Sequence, residues 1–365
     1  MRVCHIYSNA YNKIYPHIIE KQLHEGIDAR LFYAKEKNTS LPDSLPDYVD
    51  FQPCFHKHER LLFHLKQHRL LNAFKDTYKR NRFDLTHSYM TFTNGYLSYQ
   101  IKKMWDIPFI VTVRDTDVNT FFRYMIHLRR TGIKILSEAE KIIFLSPRYR
   151  DLVLNKYIPS VLKQEFFEKS IIIPNGIDDY YLSNRPAINT RNQDCLNIVT
   201  VGLINKRKNQ LAVCKAIETI YDKYKNIKYT VIGKVEDKKI YNELKEYSFV
   251  EHKPHMSKED LLLEYRKNDI FIMPSLTETF GLTYAEAMSQ GLPVIYTKGQ
   301  GFDGQFEEGL VGYHVKSSDS QEIVSAIKKI LKNYQDISRR CINLVGKFDW
   351  DKVANEYIEI YNKCK

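Results

Sequence analysis

A chain of 365 residues, 43% hydrophobic and 27% charged, has the composition of an ordinary globular protein, and its length predicts two domains of similar size. Disordered, collagen-like and disulfide-scaffold classes are excluded: 26 Tyr and 19 Phe supply a core, and Cys4, Cys54, Cys195, Cys214, Cys341 and Cys364 lie scattered without metal-ligand or redox spacing. The formal charge of +11 is uneven, because residues 51–150 hold 18 Lys and Arg against 8 Asp and Glu, which points to a local anionic partner, either a membrane or a phosphorylated ligand.

Short β-branched or apolar runs at residues 3–7, 29–33, 85–88, 109–113, 141–145 and 170–173 read as strands, and the longer amphipathic stretches between them read as helices. Alternation of this kind predicts a parallel sheet covered on both faces. No apolar run approaches the ~20 residues that span a bilayer, so neither a signal peptide nor a transmembrane helix is predicted, and reduced thiols in a cytoplasm are expected.

Two stretches carry the basic surface. Over residues 61–78 a helical projection gathers Leu62, Phe63, Leu70, Leu71, Ala73, Phe74 and Tyr78 on one face and His64, His68, Lys75 and Lys79 on the other. Such a helix either packs on its sheet with a solvated basic face or rests near anionic lipid. Residues 121–130, FFRYMIHLRR, interleave aromatics and cations and read as an interfacial segment with its aromatics exposed.

A polar stretch at 178–194 reads as a linker, after which strands restart at 196–201, 228–232, 249–252, 270–273, 294–296 and 313–315. Two doubly wound halves follow, with ligand sites at the C-terminal ends of the strands. The most informative run lies in the second half: a strand ending at Met273-Pro274, a loop carrying Glu278, and a helix beginning near Phe280-Gly281 and stopping before Gly291. A helix N-terminus approached through glycine can hold an anion. Glu278 and Glu286 flank it on the order of 10 Å apart, given the ~1.5 Å rise per residue. That spacing suits a ligand with hydroxyls at both ends and phosphates between, such as a nucleotide sugar; the alternative is two glutamates on an exposed loop and helix.

Pro274, Ser275, Glu278, Phe280, Gly281, Leu282, Glu286, Ala287, Met288, Gly291, Pro293, Val294 and Ile295 together resemble the signature of the family 4 retaining glycosyltransferases of the GT-B fold. The resemblance implies that Glu286 binds the ribose hydroxyls, that Glu278 contacts the donor sugar, and that the backbone amides of Phe280, Gly281 and Leu282 lie near sugar and phosphate. Residues 201–209, VGLINKRKN, resemble the family's diphosphate clamp, with Gly202 at the turn and Lys208 at the lysine position. Leu203 stands where an arginine is usual, leaving Arg207 or Lys206 to supply the second cation. In the first half, residues 84–89 resemble a D-x-x-H-x-H strand end, with His87 on the first histidine and Tyr89 replacing the second. Arg114 occupies an active-site histidine position, and Asp117 keeps an acidic one that a helix N-cap explains equally well. Residues 348–361 resemble a terminal helix that crosses back to the first domain.

The expected protein is therefore an α/β GT-B enzyme with a 1–180 acceptor-side Rossmann-like domain, a 181–195 linker, a 196–347 nucleotide-sugar domain and a 348–365 helix packed on the first domain. Its expected activity is transfer of a sugar, with retention, from a nucleoside-diphosphate sugar such as a UDP-sugar to a glycan or lipid-linked acceptor in cell-surface polysaccharide assembly. Glu278, Lys208, Arg114 and His87 are the catalytic candidates, and no cofactor or obligatory metal is expected. The location expected is cytoplasmic, peripheral on the inner face of the plasma membrane. A GT-B epimerase or hydrolase and a non-catalytic nucleotide-sugar-binding protein are the alternatives. Nucleic acid is not expected as a partner, because no binding motif accompanies the charge. The G-x-G-x-x-G at Gly299 to Gly304 is rejected as a dinucleotide fingerprint, since the residues after it read as turn and strand; a flexible loop beside the donor site is the preferred reading.

Overall fold

β-branched and aromatic runs that are apolar on both sides demand a sheet covered on both faces, and the chain forms two of them. A computed structural model describes residues 1–8, 14–40, 44–79, 83–188, 191, 194–221 and 226–364. The chain divides into two units, Met1–Leu145, Arg150–Pro174 and Asp351–Lys365 in the first, Ser146–Tyr149 and Asn175–Trp350 in the second.

The first unit holds β1 (Arg2–Tyr7), β2 (Asp28–Glu36), β3 (Val49–Phe55), β4 (Leu85–Ser88), β5 (Phe109–Thr112), β6 (Lys141–Phe144) and β7 (Ser170–Ile172), in the order β3-β2-β1-β4-β5-β6-β7. The second holds β8 (Leu196–Val201), β9 (Ile227–Ile232), β10 (Val250–Lys253), β11 (Ile270–Ile272), β12 (Val294–Thr297) and β13 (Gly312–Val315), in the order β10-β9-β8-β11-β12-β13. Every strand pair is parallel. Chain direction across each sheet reverses once, at β1/β4 and at β8/β11, and crevices for ligands open where strands so diverge.

β3 is the strand that the sequence reading missed. Its VDFQPCF has no alternation, and Pro53 removes a ladder donor, which an edge strand tolerates because one side has no neighbour. The helix predicted over 61–78 forms at Phe63–Tyr78 and buries Leu70, Phe74 and Tyr78 against Phe32 and Phe55. Each such side chain contributes about 1.5–3 kcal/mol. His64 and His68 stay outside, as expected, but Leu62 is 52% exposed and not part of the buried face. Phe121 and Phe122 are buried; of the three aromatics in 121–130 only Tyr124 is exposed.

The polar 178–194 stretch does not begin as a linker. Asp178 accepts from the Tyr180 amide (2.9 Å) and caps a short helix, Asp179–Ser183, within the second unit. Residues 189, 190, 192 and 193 of the predicted linker lie outside the described residues. From Asp351 onward the last helix, Trp350–Lys363, belongs to the first unit.

That helix is held by an apolar face, with Val353, Ala354, Tyr357 and Tyr361 buried, and by polar contacts that include one inside the core. The Tyr361 hydroxyl lies 2.6 Å from His87 Nδ1 inside the core. Tyr361→Phe leaves a buried ring nitrogen without this partner and is expected to cost about 1–3 kcal/mol of stability, measured as a shift in denaturant midpoint; an unshifted midpoint would show that the contact contributes nothing.

Candidate functional site

The switch point of the second sheet places the predicted motifs side by side. β8 runs out into Gly202 and Leu203, and β11 into Met273, Pro274 and the loop that carries Glu278. Both segments leave the C-terminal ends of adjacent strands, so residues about 70 positions apart meet. Lys208 Nζ donates to Glu278 Oε2 at 2.6 Å, and Arg207 Nη1 lies 3.5 Å from the same oxygen. Lys208 and Glu278 expose only 11% and 13% of their side chains, whereas Arg207 exposes 42%. Two cations thus converge on one carboxylate oxygen, giving the cluster a net positive charge, and the Lys208–Glu278 pair lies at a nearly dry position, where electrostatic interactions are strongest.

The backbone holds this geometry in detail. Asn205 accepts the Lys208 amide, and Asn209 adopts φ 59°, left-handed, while its side chain donates to Pro274 O (3.0 Å) and Ser317 O (2.7 Å). Asparagine is among the residues that reach this conformation most easily. Gly281 has φ 78° and precedes the helix Leu282–Ser289, within one residue of the predicted start. A Cβ there would lie 2.5 Å from the Tyr284 ring.

Glu286, on that helix, faces a cavity of about 530 Å³ together with Tyr181, Gly202, Leu203, Gly233 and Thr283. The volume lies within the range of small-molecule sites. Tyr265 donates to Glu286 Oε2 at 3.2 Å. Burial pushes the Glu286 carboxyl up to about 7, against the opposing pull of the Tyr265 hydrogen bond. The Lys208 stem passes within 3.2 Å of a Cβ built on Gly202, so the cation cluster adjoins this cavity's wall. Of the predicted donor-site residues, Gly202 and Glu286 line the cavity and Arg207, Lys208 and Glu278 form the cluster beside it. The Phe280 side chain is buried and packs on Phe348, which restricts any ligand contact from that residue to its backbone.

Residues 298–311 run as turns, and no helix opens after Gly304, in keeping with the rejected dinucleotide site. The loop instead buttresses Glu278: the Gln300 side chain accepts the Glu278 amide (2.9 Å), and Gly301 N donates to Glu278 O (2.7 Å). Gln300 and Tyr265 were not singled out in the sequence, since both act from segments joined to the signature only through space.

The first-unit candidates divide. His87 is fully buried in β4, with Nδ1 against Tyr361 and Nε2 3.1 Å from Thr112 Oγ1. Burial, reinforced by His5 and Arg114, holds it neutral, well below the ordinary histidine range. Both ring nitrogens are engaged in the core, so His87 has no nitrogen left for a substrate. Asp117 is equally buried and accepts amides from Thr91, Phe92 and Arg114, at 3.0, 3.0 and 2.9 Å, which makes it a clamp between two loops rather than a helix cap. Arg114 is half-buried beside it. Among the described residues no group of three or more His, Cys, Asp or Glu is placed to hold a metal, all six cysteines are free, and no helix is long and apolar enough to cross a membrane.

Residues 184–344, almost the whole second unit, match the family described as Glycosyl transferases group 1. The second unit carries a group 1 glycosyltransferase domain, and the chain is a glycosyltransferase. It is 22% identical over 308 residues to a D-inositol 3-phosphate glycosyltransferase of Paenarthrobacter aurescens, covering 78% of this chain and 73% of that protein. Among solved structures, this glycosyltransferase resembles a sucrose-phosphate synthase of Thermosynechococcus elongatus at a TM-score of 0.76 and 17% identity, covering 99% and 98% of the two chains. It resembles Anabaena Alr3699/HepE in complex with UDP at 0.73 and 14%, covering both chains fully at 100%. These likenesses establish the GT-B fold predicted from the sequence.

The glycosyltransferase's buttress loop gives a direct test. A Cβ on Gly301 would lie 1.9 Å from the Thr279 carbonyl, so Gly301→Ala must separate the two loops. It is expected to cost about 1–3 kcal/mol in thermal or denaturant unfolding, and unchanged stability would show that the loops do not bear on one another.

Proposed function

We propose that this glycosyltransferase transfers a sugar from a nucleoside-diphosphate sugar, a UDP-sugar foremost, with retention of configuration, to a glycan or lipid-linked acceptor of cell-surface polysaccharide. The observation that carries the donor reading is the convergence of Arg207 and Lys208 on Glu278 beside the cavity that ends at Glu286. A diphosphate leaving group gains charge as the glycosidic bond breaks, and the shielded Lys208 with the more exposed Arg207 beside it can stabilise that charge from positions already set by the fold. Arg207 supplies the cation that Leu203 lacks, and the pair supports transfer without an obligatory metal. Glu286 accepts the ribose hydroxyls, Glu278 the donor sugar's, and the amides at Phe280, Gly281 and Leu282 lie near the phosphates. Arg114 is the first unit's candidate for a contact to the transferred sugar, while His87 serves its core. The UDP held by the Anabaena relative supports the choice of nucleotide. The positive charge concentrated in residues 51–150 supports a cytoplasmic protein held peripherally at the inner face of the plasma membrane.

A panel of nucleotide sugars, assayed for binding and slow hydrolysis with Glu286→Ala as control, tests the donor reading. Failure of every donor to bind, or equal binding by the variant, rejects it; full turnover without acceptor would reassign the enzyme to epimerisation or hydrolysis. Lys208→Ala is expected to lower kcat/KM by about 10²–10³.

The Glu286 carboxyl adds a pH signature. Its pKa in the free protein is about 7, and hydroxyls donate to the ionised form, so affinity is full above that value and is lost as pH falls through it. UDP-glucose, which has no titration of its own in this range, is expected to bind about tenfold more weakly at pH 6 than at pH 8. Glu286→Gln is expected to bind weakly and without this pH dependence, as measured by calorimetry.

A further inference from the structure

A second cavity, of about 390 Å³, lies in the first unit and has no part in the donor chemistry. Leu61, Leu62 and Leu65 form one wall at the start of helix Phe63–Tyr78, and Phe121 and Leu128 form the other. The Phe63 and Phe121 rings meet edge to face at 6.1 Å, joining walls from distant parts of the sequence. Apolar side chains also stand proud of the groove: Leu61 is 87% exposed, Tyr124 68% and Ile126 65%. Monomeric soluble surfaces seldom gather apolar groups this way without a partner.

The surrounding charge narrows the partner. Residues 60–75 and 118–137 contain eight Lys and Arg and no Asp or Glu. Arg60 is paired with Glu36 (2.6 Å) and Arg69 with Glu59 (3.4 Å), while Arg129 is fastened to the Phe122 carbonyl (2.6 Å). Arg123 and Arg130 remain exposed, and Arg123 lies over the Tyr124 ring at 5.1 Å. A second copy docking through this face in two-fold symmetry would set the same cations against each other. A polynucleotide would neutralise them but offers its phosphates nothing to pair with aliphatic Leu61 and Ile126. An anionic bilayer satisfies both sets, burying aliphatic and tyrosine side chains at the headgroup boundary while cations meet phosphates.

We propose that the Leu61–Leu65 and Phe121–Arg130 face docks on an anionic lipid bilayer, inserting Leu61, Tyr124 and Ile126 and placing Arg123 and Arg130 among the lipid phosphates. The proposal deepens the membrane-surface part of the functional reading and rests on it, but is independent of the donor chemistry.

The test is flotation of the full chain with vesicles of phosphatidylcholine alone or with about a quarter phosphatidylglycerol. Wild type is expected to bind only the anionic vesicles, and less at high salt. Leu61→Ser with Ile126→Ser, and separately Arg123→Gln with Arg130→Gln, are each expected to weaken partitioning by about tenfold or more. These side chains are exposed, so unfolding midpoints and UDP-glucose affinity are expected to stay at wild-type values, which separates failure here from failure of the donor reading. Binding to neutral vesicles as strong as to anionic ones, no binding at all, or variants that bind like wild type would each overturn the proposal. So would a dimer in solution or an oligonucleotide complex that the Leu61/Ile126 pair disrupts while vesicle binding persists.

Discussion

An ammonium and a carboxylate 2.6 Å apart, each almost sealed from water, anchor the second unit's chemistry. Sealing both charges costs several kcal/mol of lost hydration, and a pair repays it only when held in good geometry. Much of the local architecture supplies that geometry. Asn205 and Asn209 fix the turn that aims Lys208, the left-handed Gly281 lets the next helix begin immediately, and Gln300 with Gly301 fastens the Glu278 backbone from the far side. Removing Glu278 leaves the shielded Lys208 ammonium without its counter-charge, and removing Lys208 leaves Glu278 only the more exposed Arg207 at 3.5 Å. A pair so costly and so supported is better suited to exchanging partners with a ligand than to stabilising the fold, which an apolar pair would serve as well.

Parallel topology decides where such a pair can form. β8 and β11 are neighbours, yet their outgoing connections turn to opposite sides, so Gly202 and Met273 begin loops that enclose a crevice. The first sheet repeats the arrangement at β1 and β4, but fills the space below it differently. There His5 and His87 occupy the core with Tyr89 and Tyr361, each ring nitrogen within hydrogen-bond distance of a neutral partner. Burial keeps His5 down at about 4 and His87 lower than an ordinary histidine. Histidine chemistry is here used for packing specificity rather than proton transfer.

This contrast marks how far the sequence could be read. Twelve strands were legible from their β-branched runs, and the helix after Gly281 from its glycine and small residues, because those signals are local. β3 was not, since an edge strand with a proline and a half-wet face carries no alternation. In the site, Glu278 and Glu286 were legible through one long motif and Lys208 through a second, shorter one. Tyr265 was invisible, reaching the site from a helix with no motif of its own, and Gln300 sat in a glycine-rich loop read as lying beside the donor site but without any sign that its side chain fastens Glu278. His87 had the right residue type in the right strand, but only packing shows that the Tyr361 hydroxyl and Thr112 occupy both its nitrogens.

The contact between His87 and Tyr361 spans 274 residues of chain. During synthesis the first sheet emerges long before the helix that completes its core, with the entire second unit made in between. At ribosomal rates of about 5–20 residues per second, the pocket around His87 stays open for on the order of tens of seconds. The N-terminal sheet therefore waits, uncapped, for a helix made only after residues 175–350, and the closing of its core is tied to the synthesis of that distant segment rather than to its own formation.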